Sequence, residues 1–373
     1  MTEQCHKRIC LEQKPRRVCL LGGGSFGTAI ARIVADNLTQ NLNIFHPELR
    51  VWLRRQELAD QINSTHENEQ YLPGAIIPSN VIADSDLKNV LEQADVVIVG
   101  VPHQYITDAM IDAIREHANQ TAKTVHVVSL VKGIYWDENK ILLNRVSERL
   151  SKSLNNEANA GSDGSSPHFE ISVLMGANVY NQMGRDEFAE ATLGCPTKDP
   201  ILFQLFHDVD RYNISMTMDV AGVELCAVLK NVVALGVGFA VGQDLGSNTK
   251  AAIIRRGLKE IIKFAKTFAE NVDDDTFFES AGIADLMTTC FSGRGQRLAA
   301  AFVKNGGEIS WGELEKQVLE GHQIPDWHNV QMVYKLLHAK QATSQFPFFT
   351  KVYQIGFLKA PPSQIVDVLK QKI

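Results

Sequence analysis

The stretch Arg16-Arg17-Val18-Cys19-Leu20-Leu21-Gly22-Gly23-Gly24-Ser25-Phe26-Gly27-Thr28-Ala29-Ile30-Ala31 decides the fold. Val18 to Leu21 is a short apolar run of the kind that forms a strand buried on both faces. It leads directly into Gly22-x-Gly24-x-x-Gly27, and Ala29, Ile30, Ile33 and Val34 continue at helical spacing. Strand, glycine turn and helix in that order hold a dinucleotide pyrophosphate: Gly22 permits the tight turn, Gly24 lets the backbone approach the phosphates, and Gly27 lets helix and strand pack closely. Amides at the helix start then face the negative charge. A flexible glycine turn is the plainer alternative, and the flanking strand and helix argue against it.

Outward from this loop, alternating strands and helices predict a parallel, doubly wound α/β sheet of Rossmann type. Leu49 to Leu53 is the expected second strand, and residues 66–80 read as a loop-rich connection. Asp95 to Val101, Thr124 to Val131 and Ile171 to Met175 continue the sheet, with a helix over 105–118. Runs around 191–194 and 214–218 complete it. Residues 1–15 read as a loose tail, and 151–168, rich in Ser, Asn and Gly, as a surface insertion. From Asp219 the texture changes to long helices: 220–239, apolar nearly all round and so expected to be buried, then 249–270, 276–288, 296–304, one starting near the capping pattern Ser310-x-x-Glu313, 327–339 and 362–371. The expected division is a dinucleotide-binding domain, 1–218, and an all-helical substrate domain, 219–373.

The chain has 373 residues, long enough for two domains with a sizeable core. Its 37 basic and 43 acidic residues leave a net charge of −6, which argues against nucleic acid or a membrane surface as partner. No apolar run reads as bilayer-spanning, and the polar, basic first residues do not read as a secretory signal. Six scattered cysteines show no metal-ligand spacing, so no metal is expected and the thiols read as reduced, in a cytosolic protein.

Lys230 is the most informative single residue. At helical spacing its neighbours are Val223, Cys226, Ala227, Val233, Ala234 and Val237. Lysine is rarely buried without a partner, so Lys230 is a desolvated lysine that exchanges a proton, a lysine snorkelling at a helix bend, or one in a structural salt bridge. Asp285 and Thr289 share a face if Gly282 to Cys290 is helical. Ser292-Gly293-Arg294-Gly295 offers a planar donor fork beside backbone amides, suited to a phosphate; a solvated turn arginine is the alternative. Lys132 stands at the carboxyl end of a sheet strand, where ligands of open α/β sheets bind; a plain strand-end lysine is the alternative. His103 and His322 have no nearby carboxylate to orient them as catalytic histidines.

These segments resemble the soluble, NAD-dependent glycerol-3-phosphate dehydrogenases of eukaryotes. The resemblance is carried in order along nearly the whole chain by Gly22–Ile30, Pro102–Ile106, Ser129–Gly133, Val173–Asn178, Leu229–Ala234, Gly246–Ala252 and Gly282–Cys290. It implies hydride transfer between NAD(H) and C2 of dihydroxyacetone phosphate or sn-glycerol 3-phosphate. Lys230 would then be the proton donor and acceptor, with Asp285 orienting it. Lys132, Asn231, Thr289, Arg294 and Gly295 would line the substrate pocket. Gly22, Gly23, Gly24, Ser25, Phe26, Gly27, Arg54, Tyr105, Lys132, Ala177, Arg294 and Gln323 would contact the cofactor. The family also implies a cytoplasmic homodimer.

The chain departs from the family at several places. Gly295 stands where Asn is usual, Pro325 where animal members have a cofactor-contacting Gln, and Arg54-Arg55 where many have an aromatic under the adenine. The insertion at 151–168 is also longer than typical. Arginine after the second strand is locally an NADP signal, yet a guanidinium plane also stacks on adenine, and the expectation is NAD. A β-hydroxyacid-type dehydrogenase and a non-catalytic dinucleotide sensor remain as alternatives. Adjacent Lys230 and Asn231 count against the first, whose usual spacing is Lys-x-x-x-Asn.

Overall fold

The computed structural model describes residues 14–137, 142–156, 167–320, 324 and 326–371. Twelve strands occur among them: β1 Arg16–Leu21, β2 Phe45–Trp52, β3 Glu67–Asn68, β4 Leu72–Ile76, β5 Val81–Asp84, β6 Val96–Val99, β7 Thr124–Ser129, β8 Ile134–Asp137, β9 Leu142–Arg145, β10 His168–Met175, β11 Ala189–Gly194 and β12 Tyr212–Thr217. Eight form the main sheet, in the order β12-β11-β10-β7-β6-β1-β2-β5. From β5 to β10 it is parallel, with β1 between β2 and β6 at the point where the winding reverses. That switch opens a crevice beyond the carboxyl ends of the strands. The expected all-parallel arrangement fails at one edge, because β10 pairs with β11 antiparallel and β12 follows β11. A short link, with the Tyr180–Met183 turn of helix, joins β10 to β11; a parallel partner needs a longer crossover.

Strands β1, β6 and β7 are buried because helices cover both faces of the sheet, so their sequences are nearly continuous Val, Leu and Ile. The loop-rich expectation for 66–80 misses the small antiparallel pair β3–β4, whose signal is weak because β3 is only two residues long and β4 carries Pro73 and Gly74 in its interior. Part of the predicted insertion is regular: the helix Val146–Leu154 takes its first four residues and β10 begins at His168. Most of the tail (1–13) and residues 157–166 lie outside the described residues.

Beyond β12 the chain turns into the helix Val220–Gly242, capped by the Asp219 side chain on the Gly222 amide. It is long and apolar enough to span a bilayer, against the sequence expectation, but nine-tenths of its most apolar window is buried inside the protein. The helices Ser247–Phe268, Asp285–Ser292, Arg294–Lys304 and Asp326–Ala339 surround it. An uninterrupted apolar circumference is what a helix enclosed on all sides needs. Its first turns pack on the sheet through Val173, Met175, Val223, Ala227 and Ala281. The expected helix over 276–288 is broken: a 3₁₀ turn, Asp275–Phe278, and a π turn, Ser280–Ala284, precede the α-helix. The last stretch, Pro362–Leu369, is 3₁₀ rather than α. A helix at Pro347–Phe357 also forms, opened by its proline.

Candidate active site

Gly22 ends β1 with φ +115°, a conformation that favours glycine, and a Cβ there would come within 2.9 Å of the Val101 amide nitrogen. Gly23 and Gly27 are buried, and a Cβ on Gly27 would collide with the Gly22 carbonyl. Gly24 differs. A Cβ built on it meets nothing within 4 Å, so packing does not demand glycine at this point. Gly24 is the N-cap of the helix Ser25–Gln40, whose first turn carries no acid. The open approach, the bare helix start and the switch-point crevice together fit a dinucleotide pyrophosphate. Ser25 and Phe26 stand half-buried at the same helix start. Across the crevice, Arg54 after β2 lies over the ring of Tyr105, its guanidinium carbon 5.8 Å from the centroid. Both are exposed.

Lys230 is buried to 5% exposure on the central helix, and its ammonium contacts Asp285 Oδ1. Lys132, just past the end of β7, donates from Nζ to the other oxygen, Asp285 Oδ2, at 3.1 Å. One buried carboxylate thus joins two lysines from the two halves of the fold. Burial is the largest influence on Lys230 and lowers its pKa to about 8; the Asp285 charge opposes the drop and the Lys132 charge adds to it. Such an ammonium gives up and regains a proton near neutral pH, as proton transfer to a carbonyl oxygen requires. The π turn before Asp285 shifts the helix register just where the carboxylate is aimed at Lys230.

Asn231 is buried beside Lys230. Thr289 spends its hydroxyl on the Asp285 carbonyl, 2.7 Å away. Arg294, exposed, is the first residue of the helix Arg294–Lys304, capped by Gly293; Gly295 is buried. The Ala177 amide is already taken, donating to Ser280 Oγ at 3.2 Å. Gln323, His322 and Pro325 lie outside the described residues.

Sequence reasoning missed Asp326. It is buried at the start of the helix Asp326–Ala339, close enough to Arg294 and Lys230 for their charges to act on it. Burial raises its carboxyl to about 6. An acid in the first turn of a helix is so ordinary that its sequence carries no functional signal.

A glycine turn at the switch point of a doubly wound sheet, facing a desolvated lysine clamped by a carboxylate from a helical half, defines a nicotinamide-dependent dehydrogenase. Residues 17–200 match the description NAD-dependent glycerol-3-phosphate dehydrogenase N-terminus, and residues 219–367 match its C-terminus. The chain is 37% identical to a protein of Caenorhabditis elegans named probable glycerol-3-phosphate dehydrogenase 2, over 95% of this chain and 90% of that protein. It is also 37% identical to the cytoplasmic glycerol-3-phosphate dehydrogenase, NAD(+), of Homo sapiens, over 95% and 97%. The glycerol-3-phosphate dehydrogenase structure from Plasmodium falciparum superposes with a TM-score of 0.85 at 32% identity, covering 96% of each chain. That from Saccharomyces cerevisiae gives 0.85 at 30%, covering 96% of this chain and all of that one. The chain belongs to the NAD-dependent glycerol-3-phosphate dehydrogenase family. It is an NAD-linked oxidoreductase acting on glycerol 3-phosphate and dihydroxyacetone phosphate.

Proposed function

We propose that Lys230 supplies the proton in reduction of dihydroxyacetone phosphate and accepts it in the reverse direction. The observation that carries this reading is the buried Lys230–Asp285 contact beside the switch-point crevice. NAD(H), when bound, supplies or accepts the hydride at C2 of the substrate. Asp285 holds the Lys230 ammonium in place and keeps it charged despite burial, while Lys132 takes the second carboxylate oxygen and fixes its orientation. Asn231 and Thr289 flank the pair as substrate-pocket residues. Arg294, with Gly295 beside it in the first turn of the helix Arg294–Lys304, binds the phosphate through two parallel hydrogen bonds. Gly22, Gly23, Gly24, Ser25, Phe26 and Gly27 cradle the pyrophosphate. Arg54 and Tyr105 flank the adenine end, and Lys132, Ala177, Arg294 and Gln323 are further cofactor contacts carried over from the family resemblance.

The change of texture at 218–219 supports a dinucleotide-binding domain and a helical substrate domain. The naming of the human and rat relatives supports a cytoplasmic location. Burial of the apolar helix Val220–Gly242 supports a protein without membrane insertion, and a homodimer is the assembly we assign to it.

The test follows NADH oxidation with dihydroxyacetone phosphate and with phosphate-free dihydroxyacetone, in wild type and Arg294→Lys. Lysine keeps the charge and loses the fork. Turnover of the phosphorylated substrate should fall at least about tenfold while the free triose changes little. Equal losses on both would place Arg294 on the cofactor or the fold instead.

A further inference from the structure

Residue 295 has no side chain, and the reason is visible in space. A Cβ built on Gly295 would run into Asp326 Oδ2, with Asp326 Cγ at 3.1 Å and Cβ at 3.3 Å. The carboxyl therefore fills the volume that a side chain at 295 would use, beside Arg294 and at the start of the helix Arg294–Lys304. Glu315 Oε1 accepts from the Ile324 amide and from Trp327 Nε1, each at 3.0 Å, bracing the chain on both sides of Asp326. An ionised carboxylate in this place would repel a substrate phosphate. The same group with its proton would donate to it.

We propose that Asp326 is the second side chain of the phosphate subsite, standing in for the one absent at 295 and donating its carboxyl proton in a hydrogen bond to a phosphate oxygen held by Arg294. The assignment rests on the reading of Arg294 as the phosphate ligand. Binding of the dianion is thereby linked to a proton on Asp326, so this residue makes phosphate recognition pH-dependent. The charged groups that face it are Arg294 at the start of the helix Arg294–Lys304, Lys230 on the central helix and Glu315 on the helix Trp311–Val318, together with its own backbone amide. Burial is the largest influence and raises its pKa to about 6; Arg294 and Lys230 lower it, and Glu315 raises it. The sign follows. Below about pH 6 the neutral acid is already present, and above it each pH unit weakens phosphate binding by up to about tenfold.

The experiment measures KM and kcat for dihydroxyacetone phosphate from pH 5.5 to 8.5 in wild type and Asp326→Asn, which is neutral throughout and retains an N–H donor. The phosphate's own ionisation is common to both, so the ratio of KM values isolates the carboxyl. We expect a wild-type to variant KM ratio near one at the acid end and about tenfold or more at pH 8, with kcat within about threefold. Phosphate-free dihydroxyacetone should show no such ratio. A second pair guards against a misfolded variant. Gly295→Asn alone, which collides with Asp326, should raise KM sharply, whereas Gly295→Asn with Asp326→Gly should restore binding with the pH dependence of Asp326→Asn. Turnover with a KM ratio that stays flat across pH overturns this assignment alone. No NADH oxidation by wild type at any pH overturns the activity as well.

Discussion

The central helix carries two buried charged side chains, Glu224 near its start and Lys230 about 9 Å further along. Both are desolvated, and burial pushes both toward their neutral forms: Glu224 up to about 7, Lys230 down to about 8. Their partners differ. Glu224 is closed in by the Ser147 hydroxyl and by the Ser147 amide at 3.1 Å, with Arg145 Nε at 3.7 Å, all from the segment that opens the helix Val146–Leu154. Lys230 contacts Asp285 Oδ1, and the other oxygen of that carboxylate holds Lys132 at the end of β7. Glu224 ties the central helix to the sheet layer. Lys230 sits where two halves of the fold meet a crevice. Burial and a perturbed pKa are shared by both, so neither marks a catalytic group; the partner set and its location do.

The sharpest break between the two comes from Lys230→Met, which keeps the stem and removes the charge. Loss of general acid catalysis is worth ~10²–10⁴-fold, and kcat should fall by at least that while NADH still binds. In wild type, reduction of dihydroxyacetone phosphate should decline above pH about 8 and oxidation of glycerol 3-phosphate should rise through the same midpoint. Steady-state kinetics across pH check both; near-normal turnover in the variant would put Lys230 in the same structural class as Glu224.

A smaller effect tests the wiring around Lys230. Asp285 holds its pKa up and Lys132 holds it down. Asp285→Asn should therefore move the pH midpoint of kcat to lower pH, and Lys132→Met should move it higher by less than about one unit. Shifts of the same sign in both variants would contradict this arrangement.

The smallest expected effect on turnover belongs to Glu224→Gln, with kcat within about twofold of wild type. Stability is where it should show. A carboxyl whose folded pKa lies above its unfolded value contributes stability that is present below pH 4.5 and lost as pH rises to about 7, at most on the order of 3 kcal/mol. Wild type should lose Tm relative to Glu224→Gln across that window. Parallel Tm curves would mean that Ser147 and Arg145 already stabilise the ionised form fully.

The sequence by itself determined the nucleotide-binding half well, because its signals are local. A strand buried on both faces, a glycine turn and a helix start are contiguous from Arg16 to Gln40, and backbone sterics within a few residues dictate them. The same locality exposed Lys230 as an ammonium in an apolar stripe. Where partners come from elsewhere, residue patterns alone named none, and Asp285 as the partner of Lys230 came only with the family resemblance. The antiparallel edge at β10–β11, the π turn that aims Asp285, and Lys132 on that carboxylate's second oxygen all follow from packing between segments far apart in the chain. Asp326 is the clearest case. Nothing near it in sequence distinguishes it from any acid at a helix start, and Gly295 reads as a lost side chain. Only the tertiary structure brings the two together, because a carboxyl and a Cβ cannot occupy one volume.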